Sequence, residues 1–310
     1  MNVKKIEEEI SAENIPDVLL IGNGIARAAS ETSSWEDIIK SAASENKVDY
    51  DYEDFKALPA NMQIVVATKN HVGSVIKSIV EPMLAEIDCE ASDFLRNIAA
   101  VNAGAVLNTN YDYNIEQALG VKAGKGSFQR CRRWTKDVNP GTNDKNFNLF
   151  QYSDVAPNKK IWHIHGDVCS PKYMVMGHRY YGSLLHQIQN YVPSFFAQFK
   201  QKSKSGEGYS PKSWVDYFLT GNIYILGFGM YSTETDLWWL LDCKKEHFKD
   251  TEIVYYAPAG DIDKNTEILL KTYDVEIVDS LPFHNGGYKE YYLEAVKDIN
   301  RRIDEKSHRS

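Results

Sequence analysis

Short runs of apolar, mostly β-branched residues recur at wide intervals along the chain: Asp17 to Ile21, Ala105 to Asn108, Ile161 to His165, Ile223 to Gly227, Ile253 to Tyr256 and Val275 to Val278. They are apolar at nearly every position instead of alternating, the pattern of strands buried on both faces of a parallel sheet. The stretches between them are long and patterned as helices, notably Trp35 to Ala43, Ile64 to Ile87, Tyr181 to Lys200 and Asp236 to Phe248. This alternation predicts an α/β fold, doubly wound and Rossmann-like. Its sheet would be mostly parallel and six-stranded, with ligands at the carboxyl ends of the strands. Helical or lid insertions are expected over about 36–100 and 120–158. The second is polar and holds Lys122, Lys125, Arg130, Arg132, Arg133 and Lys136, and either a lid or a solvated loop fits it. Lys200 to Ser213 has the composition of a flexible connection. No internal repeat or Pro/Gly/Ser-rich linker divides the chain, so one domain is expected over 1–310, with a frayed tail at about 304–310.

Composition narrows the class. With 310 residues, 43% hydrophobic, the chain can bury one large core. A net charge of -8 offers nothing global to a polyanion, so no nucleic-acid partner is expected. Cys89, Cys131, Cys169 and Cys243 lie far apart with no C-x-x-C pair, which argues against a zinc module and for a reducing compartment. The N-terminus has no apolar signal core, and no apolar run approaches the roughly 20 residues that span a bilayer, so a cytoplasmic protein without membrane contact is expected.

The polar chemistry gathers at the predicted strand ends. The first strand runs into Gly22-Asn23-Gly24-Ile25-Ala26, where glycines could admit a pyrophosphate to the amides of a helix start, or simply make a turn. The second ends in Asn108-Thr109-Asn110-Tyr111-Asp112, a cluster equally suited to an Asx turn and helix cap. The third ends in Trp162-His163-Ile164-His165-Gly166-Asp167. Strand alternation would put both histidines on one face, with His165 at the tip as a general base or as a satisfied structural histidine. The fourth enters Gly227-Phe228-Gly229-Met230-Tyr231-Ser232 and then Thr235-Asp236-Leu237-Trp238-Trp239, where Asp236 suits a helix cap and the tryptophans suit the core.

In this order the four clusters resemble the sirtuin superfamily, and most closely bacterial sirtuin-like domains in which N-Y-D, H-G-D and G-F-G…D-L-W-W-L-L stretches recur. The resemblance spans about residues 17–280. It implies that Gly22, Asn23, Gly24 and Ile25 wrap the NAD pyrophosphate. Asn110 would hold the nicotinamide ribose and orient a water, Thr109 and Asp112 would shape the nicotinamide end, and His165, followed by Gly166, would be the general base. Gly227, Gly229 and Ser232 would meet the adenosine side. Protein deacylases of the superfamily carry a four-cysteine zinc module after the His-Gly pair; here only Cys169 follows. Ala26 and Gly229 also stand where serines are common.

The resemblance therefore implies a NAD+ hydrolase, with NAD as substrate and no metal. Its implied role is to deplete NAD during phage infection, held inactive until triggered. Control would come from oligomerisation or from a regulatory partner protein encoded nearby. The alternatives are a non-catalytic sensor of NAD or ADP-ribose, and a protein deacylase or ADP-ribosyltransferase.

Overall fold

The computed structural model describes residues 15–29, 35–49, 52–75, 92–135, 147–157, 159–283 and 287–308. Its centre is an eight-stranded sheet of β1 (Asp17–Ile21), β2 (Ala105–Asn108), β3 (Arg132–Trp134), β4 (Gln151–Ala156), β5 (Lys159–His163), β6 (Asn222–Leu226), β7 (Ile253–Tyr256) and β8 (Glu276–Val278). The order across the sheet is β3-β4-β5-β2-β1-β6-β7-β8. Six strands, from β5 to β8, run parallel, while β3 and β4 are antiparallel additions at one edge. The expected count of six is corrected to eight. The two extra strands come from the stretch expected as an insertion, and their half-exposed, polar residues gave no apolar run to find.

Alternation along each parallel strand sends side chains to two separate cores. Val18, Leu20, Leu107, Ile223 and Ile225 face one core, closed by the helices His178–Lys204, Trp214–Thr220 and Thr235–His247. Leu19, Ile21, Val106, Tyr224 and Leu226 face the other, closed by Asp93–Ala99 and Tyr288–Ser307. The last helix runs to Ser307, into the segment expected to fray, and the long helix extends to Lys204 inside the expected flexible connection. The predicted helix Ile64 to Ile87 is two pieces, Ala60–Ala67 and Val72–Val75, with positive φ at Lys69 and Asn70 between them; its remainder lies outside the described residues. A third cluster joins this helical insertion, through Ile38, Ile39, Phe55 and Ile64, to Met174 and Met176. The short stretch after the His-Gly pair thus plugs two methionines into the insertion. Among the described residues, no helix is long and apolar enough to cross a membrane.

Register aligns the carboxyl edge. Ile21 pairs with Asn108 and Leu226, Asn108 with His163, and Leu226 with Tyr256. The residues that follow these strands therefore emerge in one row. The chain departs from β1 towards β2 and β5 and later returns to β6 on the other flank of β1, so β1 and β6 bound the switch point where open α/β sheets place ligands.

Candidate active site at the carboxyl edge

At the switch point the two glycine loops grip each other. Gly22 N donates to Leu226 O at 3.0 Å, Gly24 N to Gly227 O at 2.8 Å, and Ile25 N to Gly22 O at 3.2 Å. A Cβ on Gly22 would lie 2.6 Å from Gly227 O, and one on Gly24 would lie 2.8 Å from Gly227 Cα. Gly227 has φ +61, where side chains are strained, and a Cβ there would meet Ile25 N at 2.7 Å. The glycines are thus required by loop-to-loop packing before any ligand arrives. Asn23 begins the helix Asn23–Ala29 and is half-buried, whereas Gly229 and Ser232 are exposed beyond the interlock.

The polar cluster after β2 divides by function. Asn108 Oδ1 accepts from Asn110 N at 2.9 Å, Thr109 Oγ1 donates to Ile21 O at 3.0 Å, and Asp112 Oδ1 accepts from Asn114 N at 3.0 Å. Asn108 and Asp112 thus make Asx turns, whereas Thr109 ties β2 to β1. Burial pushes the Asp112 carboxyl up to about 6, against the pull of the Asn114 amide and His163. Asn110 is different. Its backbone carbonyl meets His163 Nδ1 at 3.1 Å, but its half-buried carboxamide has no hydrogen-bond partner among the described residues.

The two histidines do not share a face. β5 ends at His163, and the chain turns at Ile164 and His165 before Gly166, whose φ of +84 no strand adopts. His163 joins the sheet face that holds Ile161 and meets Glu116 Oε1 of the helix Asn114–Ala118 at 2.8 Å. Burial disfavours a charged ring there, but the Glu116 carboxylate, its hydrogen bond and Asp167 outweigh it and raise His163 to about 9. Both ring nitrogens of His163 face acceptors, Nδ1 the Asn110 carbonyl and Nε2 the Glu116 carboxylate, an arrangement that favours the charged ring.

His165 turns the other way, towards the start of the helix Thr235–His247. Its Nε2 lies 3.1 Å from Asp236 Oδ2 and 3.8 Å from Glu234 Oε2. The ring packs edge-on against Tyr181, whose hydroxyl donates to Glu234 Oε1 at 3.2 Å. Val175 N donates to His165 O at 2.7 Å, and Tyr111 Oη donates to Val175 O at 2.7 Å. The N-Y-D segment and the histidine are thereby fastened to the same strand of chain. Burial lowers the basicity of His165, but Asp236, by charge and hydrogen bond, and Glu234 overcome this and raise it. Burial and the Asp236 charge lift Glu234 to about 7, opposed by His165 and the Tyr181 hydroxyl.

Asp236 is not the helix cap its position suggested. The N-cap residue is Glu234, with no side-chain cap bond, and the Asp236 carboxylate is spent on His165. Tertiary partners across 71 residues of sequence decide this, and the only local hint was a pair of acids two apart after a glycine turn. Donor atoms of His165, Glu234 and Asp236 lie within 4.8 Å of one another, a spacing that a cation also accepts. The imidazole–carboxylate hydrogen bond accounts for the closest of these approaches. Trp238 and Trp239 pack against the core as expected.

Behind the site, Arg132 of β3 donates to Asp167, to Tyr113 Oη at 2.9 Å and to Ser170 Oγ at 2.8 Å. Phe128 stacks on Tyr113 with ring centroids 4.1 Å apart. The described part of the basic stretch is therefore pinned to the H-G-D loop at Arg132, while Lys122, Lys125, Arg130 and Arg133 remain exposed; Lys136 lies outside the described residues.

A mostly parallel, doubly wound sheet, with a carboxylate-held histidine and a carboxamide unpartnered among the described residues at its carboxyl edge, makes this a Rossmann-like α/β domain with a polar site at its switch point. The family model for the SIR2-like domain matches residues 104–278, more than half of the chain, and the protein belongs to that family. A NAD-related function follows from membership. A comparison with curated proteins finds no significant match to the chain.

Proposed function

We propose that the protein is a NAD+ hydrolase, converting NAD+ and water to nicotinamide and ADP-ribose. The observation that supports this most is His165, fixed through Nε2 by Asp236 at the carboxyl edge, on the same turn system as the Asn110 carboxamide, which has no partner among the described residues. Breaking the C1′–N bond sends its electron pair to the nicotinamide ring and leaves an oxocarbenium-like centre, which asks for orientation and exclusion of bulk water more than for a strong nucleophile. Asn110 would orient the ribose and the attacking water. His165 would take the proton that the water releases as the new C1′–O bond forms.

The biological proposal is an effector that depletes NAD in anti-phage defence, held inactive until a partner protein or self-association activates it. Two features favour a second reading, a non-catalytic sensor of NAD or ADP-ribose. The amides of Gly22 and Gly24 are already donated within the protein, and His165 is only 3% exposed. Nicotinamide and ADP-ribose should be followed for the purified protein, alone and with the product of the neighbouring gene, alongside Asn110→Ala and His165→Ala. Each substitution is expected to lower turnover about 100-fold or more. Undiminished turnover in both variants would remove these residues from the site, and NAD binding without turnover in every condition would select the sensor.

A further inference from the structure

We propose that Asp236, with Glu234 as a second carboxylate, positions His165 through Nε2, so that Nδ1 is the nitrogen presented to the substrate. The proposal rests on the NAD-cleavage reading for its chemistry, but its geometry stands apart. An ionised carboxylate only accepts hydrogen bonds, so the 3.1 Å contact places a proton on Nε2 and the lone pair of the neutral ring on Nδ1. Nδ1 has no partner among the described residues. Asp236 is fully buried, leaves Oδ1 without a partner, and caps nothing, so the helix does not account for its being there. A buried carboxylate costs several kcal/mol unless it is paired, and the partner it has is His165.

The groups facing the ring come from two elements. Asp236 and Glu234 rise from the start of the helix Thr235–His247, and Tyr181 lies on the long helix, with Tyr111 behind it through Val175. When Nδ1 takes a proton from the attacking water, the ring becomes an imidazolium whose charge Asp236 balances directly and Glu234 from 3.8 Å. The carboxylates thus stabilise the protonated ring, and the base works only as the pH rises past its raised titration point.

Two measurements on the full-length chain test this. In the first, long-range proton–nitrogen NMR of histidine-labelled protein, with the signal assigned through His165→Gln, is expected to show Nε2–H on the neutral ring. His165 should titrate above 6.5 in the wild type and lower in Asp236→Asn. A ring protonated at Nδ1, or a titration unmoved by Asp236→Asn, overturns the proposal. In the second, nicotinamide release by Asp236→Asn is expected to fall about 100-fold in kcat with KM for NAD within about twofold, and its ascending pH limb should move to lower pH. Asp236→Glu should recover part of the loss. Should Asp236→Asn fail to melt cooperatively, Glu234→Gln takes its place, with a smaller shift of the limb in the same direction, and an unmoved limb counts against the proposal. A wild type that releases no nicotinamide under any condition refutes the NAD-cleavage reading, while the NMR result still decides the positioning of His165.

Discussion

Gly166 concentrates the local demands of the site in one residue. Its φ of +84 turns the chain out of β5, and a Cβ there would lie 2.5 Å from Tyr173 O and 2.8 Å from Met174 Cα. The backbone conformation alone costs an L-residue about 1–2 kcal/mol, and the clash with main-chain atoms cannot be relieved by a rotamer. Gly166→Ala is therefore expected to lower the unfolding free energy by about 2 kcal/mol or more and to displace His165, measured by chemical denaturation and by loss of nicotinamide release. At this scale the sequence was informative about identity and less so about duty. Asn110 and His165 both lie beyond the strand ends, Thr109 bonds to Ile21 of β1 and Asp112 to the Asn114 amide, and His163 belongs to a different network from its neighbour two residues on. Alternation predicted one face for both histidines because nothing local announces that a strand stops at the first of them. Asp236 was visible as a residue and invisible as a partner, since its role depends on a contact between two strands' loops.

Among elements, the β3–β4 pair has the most to say about how the site is braced. Arg132 is the half-buried member of an otherwise exposed basic stretch, and Asp167, its partner, is 2% exposed. Removing one half of a buried ion pair strands the other and typically costs about 3–5 kcal/mol. Arg132→Met should show a loss of that order in a thermal or urea melt, and pairing it with Asp167→Leu should restore much of it. If Arg132→Met is neutral, the strand pair does not brace the H-G-D loop. The parallel strands were legible because burial on both faces forces an apolar residue at nearly every position. These two edge strands were not, because only a short stretch of Ser153 and its neighbours faces the interior. The break between Ala67 and Val72 was hidden for another reason: the polar run Thr68-Lys69-Asn70-His71 also fits one solvated turn of a continuous helix, and only the positive φ of Lys69 and Asn70 makes it a break.

For the molecule as a whole, the buried charges make stability depend on pH in a direction that can be worked out. His163 titrates at about 9 in the folded chain against 6.5 for a free imidazole. The folded state holds that proton more tightly, so the contribution is fully present below 6.5 and is lost as pH rises through about 9. The gap in melting temperature between the wild type and His163→Asn should be widest near pH 6 and should narrow towards pH 9. A gap that widens with pH would contradict a charged His163. Lys244 gives a second whole-fold test. Fully buried in the helix Thr235–His247, its Nζ donates to Leu219 O and Gly221 O, closing the end of the helix Trp214–Thr220 beside β6. Burial holds its basicity well below the usual lysine range. Lys244→Met leaves both carbonyls unsatisfied and should destabilise by about 2–3 kcal/mol in a urea melt.

The grip between Gly22, Gly24 and Gly227 has one more implication, for how such a chain can change over time. Each of the three excludes a side chain because another occupies the space, so no single one can be replaced while the others stay. The two loops are far apart in sequence, joined to neighbouring strands, and bound by one shared constraint. They can be inherited or remodelled only as a pair, and a transplant of either loop from a related chain should fail unless its counterpart travels with it.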